Sequence, residues 1–293
     1  MTSVSVVIPV WNRSEKIAAT LDSVLAQTRA PLEILVVDDG STDDTADFIR
    51  ANYGDRVRLI SQPNGGVARA RNTGWRAARG EWIAFLDHDD EFAPDKLEVL
   101  APFLGEKNGV VVSRWREIRE SGETVRESPA VSAKNAFGWL FGWDNPIVSM
   151  SVPLVRRDVL EEIGGFDAAC APADDWDLWL RASRVTGFAF CDAVLTSYVL
   201  HDAQQRRDEK KMFRAVRRVL GKHPLELARR PLLLWWWLCI PVFARTLGPY
   251  VRFKNGERGA LGAAWRAHPL FWLAPQWGKA LARRVVANLR GKP

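Results

Sequence analysis

The sequence predicts an α/β fold: an open, Rossmann-like, mostly parallel sheet flanked by helices, followed by a helical, basic C-terminal extension. Three observations carry this expectation. Short apolar runs rich in β-branched residues alternate with segments of helical period in units of about 30 residues, the rhythm of parallel strands joined by crossover helices. Several of these runs end in carboxylates, at the strand ends where open α/β sheets bind their ligands. The charge is also divided: residues 1–202 hold 21 Lys and Arg against 31 Asp and Glu, whereas residues 203–293 hold 20 against 4. An acidic body and a basic tail imply two tasks, so a catalytic or binding domain is expected over 1–202 and an extension over 203–293. At 293 residues, 47% apolar and 26% charged, the chain can build a sizeable core.

The elements follow in order. Ser3 to Val10 reads as the first strand and opens on Trp11-Asn12. Ile17, Leu21, Val24 and Leu25 recur at helical spacing within Glu15 to Gln27, and Pro31 follows. Glu33 to Val37 is a second buried strand, ending at Asp38-Asp39-Gly40-Ser41, a turn that leads into a helix around Thr45 to Asn52. Val57 to Ser61 is a third strand, Asn64-Gly65-Gly66 a loop and Val67 to Arg79 a helix. Trp82 to Leu86 suits a buried strand and is too short for a typical helix. Pro94 to Leu104 reads as a helix, Gly109 to Arg119 as a strand and Glu120 to Glu123 as a turn. Asn135 to Asp144, rich in Trp, Phe and Gly, suits either an acceptor pocket or aromatic core packing. Pro146 to Val155 is strand-like, and Arg157 to Ile163 is a short helix stopped by Gly164-Gly165. Asp174-Asp175 then leads into a helix over Trp176 to Val185, where one carboxylate suits a cap.

The run Asp87-His88-Asp89-Asp90 closes the Trp82 to Leu86 strand. Carboxylates crowded at a buried strand end repel one another and resist desolvation. A hard divalent cation relieves both, and Mg²⁺ or Mn²⁺ suits oxygen ligands completed by substrate phosphates. A solvated acidic turn is the plain alternative. The shared position of Pro9-Trp11, Asp38-Asp39 and Asp87-Asp89 at strand ends favours one ligand crevice instead. Cys170, Cys191 and Cys239 have no zinc or redox spacing, which fits a reducing cytosolic setting. The stretch from Met1 to Pro9 has no basic or long apolar segment of a signal peptide.

An ordered set of motifs spans residues 3–202. It comprises Val6-Val7-Ile8-Pro9-Val10-Trp11-Asn12, Gln27-Thr28, Val36-Val37-Asp38-Asp39-Gly40-Ser41-Thr42-Asp43 and Gly65-Gly66-Val67-Ala68-Arg69-Ala70-Arg71-Asn72. Gly80-Glu81 through Asp90, Gly164-Gly165-Phe166-Asp167 and Asp174-Asp175-Trp176-Asp177 complete it. The set resembles the family 2 inverting glycosyltransferases of GT-A fold. Each motif alone is weak; their order and spacing make the resemblance specific.

The resemblance implies a nucleotide-diphosphate sugar donor, UDP- or dTDP-linked, and Mn²⁺ or Mg²⁺ as cofactor. Pro9 and Trp11 are implied as the wall beside the base, with Trp11 standing where the family usually has Tyr. Asp39 is implied as the acceptor for the base N3–H, with Asp38 beside it. Arg71 is implied as a base or diphosphate contact, and Asn72 supports its loop. Asp87 is expected near the ribose and metal, Asp89 as the more direct metal ligand, and His88 as an exposed residue between them. Asp175 matches the general base, which must take the acceptor hydroxyl proton. The family commonly has Glu-Asp where this chain has Asp174-Asp175, which leaves the base in place and the role of Asp174 open. Tyr198-Val199-Leu200-His201 resembles a tail motif whose His201 can approach the metal. Gln204, Gln205 and Arg206 suit a loop that closes over the donor. The Gln-x-x-Arg-Trp pattern of processive synthases is absent, since Arg207 follows Arg206; transfer of one sugar per encounter is expected.

The tail carries Trp235-Trp236-Trp237 within 14 uncharged residues, Pro231 to Ala244, between Arg230 and Arg245. That is short of the roughly 18–20 residues of a spanning helix. Tryptophans flanked by arginines suit a bilayer interface. We read residues 203–293 as helices on an anionic membrane surface, presenting the site to a lipid-linked or glycan acceptor at the cytoplasmic face. A helical subdomain packing its tryptophans on the catalytic domain or a partner subunit is the alternative. Nucleic acid is not expected, because the tryptophans are contiguous rather than interleaved for base stacking. Two competing functions stand beside the transferase. A sugar-nucleotide pyrophosphorylase would need a Gly-rich basic loop after the first strand, and Pro9-Val10-Trp11-Asn12 is not one. The other is a non-catalytic, membrane-docked scaffold that binds nucleotide sugars.

Overall fold

The computed structural model describes residues 2–229, apart from residues 15, 106, 120, 123, 129–135, 142–146 and 201–208. His201, Gln204, Gln205, Arg206 and both tryptophan-rich stretches of the tail lie outside the described residues, as does much of the Asn135 to Asp144 segment. The chain forms two compact units, one of residues 1–169 with 174–200 and one of residues 170–173 with 201–293.

The first unit is a mixed α/β structure. Its strands are β1 (Val4–Val10), β2 (Glu33–Asp38), β3 (Arg58–Ser61), β4 (Trp82–Phe85), β5 (Glu91–Phe92), β6 (Asn108–Arg119), β7 (Thr124–Glu127), β8 (Pro153–Arg156) and β9 (Gly187–Leu200). Its helices are α1 (Ile17–Leu25), α2 (Thr45–Tyr53), α3 (Val67–Ala77), α4 (Lys96–Leu100), α5 (Ala136–Leu140), α6 (Arg157–Ile163) and α7 (Asp174–Val185). The sheet runs β3-β2-β1-β4-β8-β6-β9-β5, with β7 paired to β6. The first four strands are parallel; β8 pairs antiparallel with both β4 and β6, and β6 pairs parallel with β9. Every residue of β1 and β4 is buried, which is why both read as near-continuous apolar runs, broken in β1 only by Ser5, rather than alternating ones.

The chain travels outward from β1 to β2 and β3, then returns to place β4 on the other side of β1. This reversal is a topological switch point, where open α/β sheets form a ligand crevice at the strand carboxyl ends. Trp11, Asp39, Gln62 and Asp87 follow those four ends. Helix α3 packs on β1 and β2 closely enough that a Cβ at Gly74 would lie 2.2 Å from Val7 Cγ1. That approach brings Arg71 and Asn72 beneath the crevice.

Several boundaries differ from the sequence expectation. Pro102 lies in a short 3₁₀ turn at Ala101–Phe103, so the helix expected over Pro94 to Leu104 is only α4 followed by that turn. The strand expected from Pro146 begins at Pro153. Ser149 and Ser151 precede it in irregular backbone, turned toward carboxylates. Helix α7 starts two residues early, so Asp174 and Asp175 stand in its first turn, where the helix dipole favours negative charge. In the second unit, α8 (Glu209–Gly221) buries Phe213, Ala215, Val219 and Leu220 and exposes Lys211, Arg214, Arg217 and Arg218.

Candidate active site

The site begins where β1 and β2 end. Asn12 adopts φ 51° and bonds across to the next loop: its N–H donates to Ser41 Oγ at 2.9 Å, and its side-chain oxygen accepts the Thr42 N–H at 2.8 Å. This holds the preceding Trp11 at the strand end, where the residue is 51% exposed. An exposed indole on a sheet rim is free to stack on a planar ligand.

Asp38 and Asp39 are both buried. Asp38 Oδ1 accepts the Ser41 N–H at 3.0 Å and closes the turn. Asp39 gathers the Gly65 N–H at 2.9 Å, the Gly66 N–H at 2.7 Å and Gln62 Nε2 at 2.7 Å. Through these three bonds Asp39 organises the glycine loop. Gly40, at φ 73°, permits the fit, since a Cβ there would meet Asn64 N at 2.7 Å.

The acidic loop follows β4. Asp87 Oδ1 accepts Arg71 Nη2 at 2.6 Å, and Ser149 Oγ lies 3.3 Å from its Oδ2. Asp90 is fully buried, and burial, then the charges of Asp87 and Asp89, raise its carboxyl well above the usual range. His88 is half-buried rather than exposed, with a hydrogen bond to the Pro9 backbone and the charges of Asp89, Arg13 and Asp87 acting on it. Burial lowers its pKa, Asp89 opposes that, and Nε2 is shut from solvent with no partner among the described residues.

Arg71 ties this loop to α7. Its Nη1 lies 3.2 Å from Asp174 Oδ2, and its guanidinium lies over the Phe166 ring at 5.5 Å. Arg71 is a buried bridge between two carboxylates, with only Nε lacking a partner. Asn72 is likewise committed. It accepts from Trp75 Nε1 and the Phe166 N–H, each at 2.9 Å, and donates to the Phe166 carbonyl at 2.8 Å. The Gly164-Gly165 turn thereby lies on α3, with both glycines at positive φ. Arg181 closes the same turn by bonding Asp177, the Ile163 carbonyl and the Gly165 carbonyl.

Asp175 stands beside Asp174 at the start of α7. Burial first, then the charge of Asp174, raises its carboxyl to about 7 despite the opposing Arg71. Asp174 is also raised, by burial and against Arg71. A carboxylate with a pKa near neutrality is matched to general-base work.

Carboxylates gathered in this way would suit a hard divalent cation. Asp87, Asp89, Asp90, Asp174 and Asp175 repel one another, with Arg71 and Lys96 as the opposing cations. At this loop no three Asp, Glu, His or Cys ligand atoms of the described residues converge within coordination range. Mg²⁺-type sites commonly use one or two carboxylates with phosphates and water.

The model for the family described as "Glycosyl transferase family 2" matches residues 5–164. The chain belongs to that family. An uncharacterized glycosyltransferase of Rickettsia typhi is 32% identical over 207 residues, covering 69% of this chain and 65% of that protein. Chondroitin synthase of Pasteurella multocida is 32% identical over 206 residues, covering 68% of this chain and 20% of that protein. This family 2 chain therefore spans less than two thirds of either relative. Residues 1–349 of S. aureus TarS, crystallised with UDP-GlcNAc, superpose with a TM-score of 0.64 at 20% identity, covering 91% of this chain and 79% of that 1–349 chain. That likeness shows the shared GT-A fold.

Sequence reasoning missed Lys96, Ser149 and Ser151, which pack beneath the acidic loop. It also missed the structural use of Gln27, whose side chain bonds the Ala93 carbonyl and the Leu97 N–H and pins the exit of that loop.

Proposed function

We propose that this chain transfers a sugar, with inversion, from a UDP- or dTDP-linked donor to an acceptor hydroxyl on a lipid-linked or surface glycan. One observation carries the reading. Asp175, raised to about 7, adjoins Asp174, and Arg71 binds Asp174 to Asp87 at the end of β4. Base and donor loop are thus parts of one network.

Trp11 and Asp39 hold the base at the ends of β1 and β2. Asp175 takes the proton of the acceptor hydroxyl as its oxygen forms the new bond to the anomeric carbon. The old bond to the diphosphate breaks on the opposite face, and its electron pair leaves with the phosphate oxygen. Asp89 and Asp87 would hold Mn²⁺ or Mg²⁺, which supplies charge neutralisation to the leaving diphosphate. No covalent enzyme intermediate is required.

The structure of TarS with UDP-GlcNAc makes UDP-sugars the first donors to try. For location, we propose peripheral attachment at the cytoplasmic membrane face through the basic extension, with the arginines of α8 facing anionic lipid. No helix among the described residues is long and apolar enough to cross a membrane. The test is a thermal-shift screen of nucleotide sugars with Mn²⁺, repeated in EDTA. A donor bound only by the folded state raises the midpoint by mass action. A metal-dependent rise with one UDP- or dTDP-sugar is expected; no rise with any nucleotide sugar contradicts the proposal.

A further inference from the structure

Beneath the acidic loop runs a buried polar cluster that the roles above leave unused. Asp90, Ser151 and Lys96 are fully buried, and Ser149 and Thr196 nearly so. Asp90 Oδ2 accepts the hydroxyls of Ser151 at 2.5 Å and Ser149 at 2.9 Å, while Oδ1 accepts the Val199 N–H at 3.2 Å. The same two serines reach Asp87. Its N–H donates to Ser151 Oγ at 2.9 Å, and Ser149 Oγ lies 3.3 Å from its Oδ2. The Ser151 N–H in turn donates to Ser149 Oγ at 3.0 Å.

Lys96 fixes the serines from behind. Its ammonium donates to the Ser151 carbonyl at 2.6 Å, the Val152 carbonyl at 3.1 Å and Thr196 Oγ1 at 2.7 Å, which uses its three protons. Burying a carboxyl and an amine is costly unless both are hydrogen-bonded. Here both are spent on a segment, Ser149 to Val152, that forms no helix or strand and has no ladder of its own to hold it.

Asp87 is consequently gripped at two points, Oδ1 by Arg71 and the backbone N–H by Ser151, while the single Ser149 proton is shared between Asp90 Oδ2 at 2.9 Å and Asp87 Oδ2 at 3.3 Å. Asp90 has no such opening outward, because both its oxygens are bonded inside the fold. We infer that Asp90, acting through Ser149 and Ser151, is the positioning residue that orients Asp87 toward the cation and donor, with Lys96 anchoring the serines to β9. Asp90 is then the one carboxylate of the acidic run that does not meet the ligand. The inference rests on the donor-site reading given under the proposed function.

The experiment uses the full chain and three proteins: wild type, Ser149→Ala and Ser149→Thr. Calorimetry measures binding of UDP and dTDP across a Mn²⁺ titration, and urea unfolding is followed in parallel. Outer-shell partners of a metal ligand typically affect metal affinity by about 10–100-fold. Ser149→Ala is expected to raise the Mn²⁺ concentration for half-maximal nucleotide binding roughly tenfold while the urea midpoint stays near wild type. Ser149→Thr, which keeps the hydroxyl, is expected to restore it. A Mn²⁺ requirement unchanged in Ser149→Ala, with or without a lowered urea midpoint, overturns the positioning role and leaves the donor site standing. Absence of Mn²⁺-dependent nucleotide binding in the wild type overturns the donor-site reading and this inference with it.

Discussion

Arg71 holds Asp87 and Asp174 at once, with Nη2 2.6 Å from Asp87 Oδ1 and Nη1 3.2 Å from Asp174 Oδ2. The guanidinium is planar and forked, so one buried side chain can join the loop after β4 to the start of α7. Removing one partner of a buried pair leaves an uncompensated charge at a cost of about 3–5 kcal/mol. Arg71→Ala is expected to lose stability on that scale in urea unfolding. Arg71→Lys keeps the charge but not the fork, and its midpoint is expected between the two.

The pH dependence follows from Asp175. Its carboxyl stands at about 7 in the folded chain against the ordinary aspartate value of 3.8. As base it must be ionised, so kcat/KM is expected to rise with pH and level off above about 7. Asp174→Asn removes the second cause of the shift and is expected to move the acid limb to lower pH. For stability the sign is opposite. Between 3.8 and about 7 the folded state holds a proton the unfolded state has lost, so stability falls as pH rises through that window. Asp175→Asn is therefore expected to unfold later than wild type at pH 8 and to differ little near pH 4, as thermal melts at both pH values would show.

The Gly164-Gly165 turn separates backbone strain from crowding. Both residues have positive φ, but a Cβ at Gly164 meets nothing within 4 Å, whereas one at Gly165 lies 2.4 Å from Asn72 Oδ1 and 2.7 Å from Trp75 Nε1. Gly164→Ala is expected to cost about 1 kcal/mol, the usual left-handed penalty. Gly165→Ala is expected to cost about 1–3 kcal/mol more through overpacking. Urea unfolding of the pair measures the difference.

Asp39→Asn tests the glycine loop. An amide can replace only part of a carboxylate that accepts two backbone N–H groups and Gln62 Nε2. An orphaned buried donor costs about 1–3 kcal/mol. Calorimetry is expected to show nucleotide affinity reduced at least tenfold, with a smaller loss of overall stability.

Much of this was legible before any coordinates. The runs forming β1, β2 and β4 are mostly apolar because those strands are largely buried, and carboxylates stand at or just after the ends of β2 and β4. Asp87, Asp89 and Asp175 could be named because ordered motifs preserve their spacing. Ser149, Ser151 and Lys96 could not. They reach Asp90 from distant points in the chain, and a serine in an apolar segment has no period that betrays a bond to a buried carboxylate. Arg71 and Asn72 were found as residues, but their motif reveals nothing about the bonds they make to Asp174 and Phe166. Spacing along the chain reports which residues share an element; it does not report which partner a buried fork selects.

The most direct measurement compares donor binding and sugar transfer in Asp175→Asn, with Asp89→Ala as reference. Calorimetry with the donor found in the screen is expected to give Asp175→Asn an affinity within about twofold of wild type. Transfer is expected to fall by at least about 100-fold, the lower range for loss of a general base. Transfer persisting in Asp175→Asn, or donor affinity lost as completely as in Asp89→Ala, would contradict the assignment of Asp175 as the base.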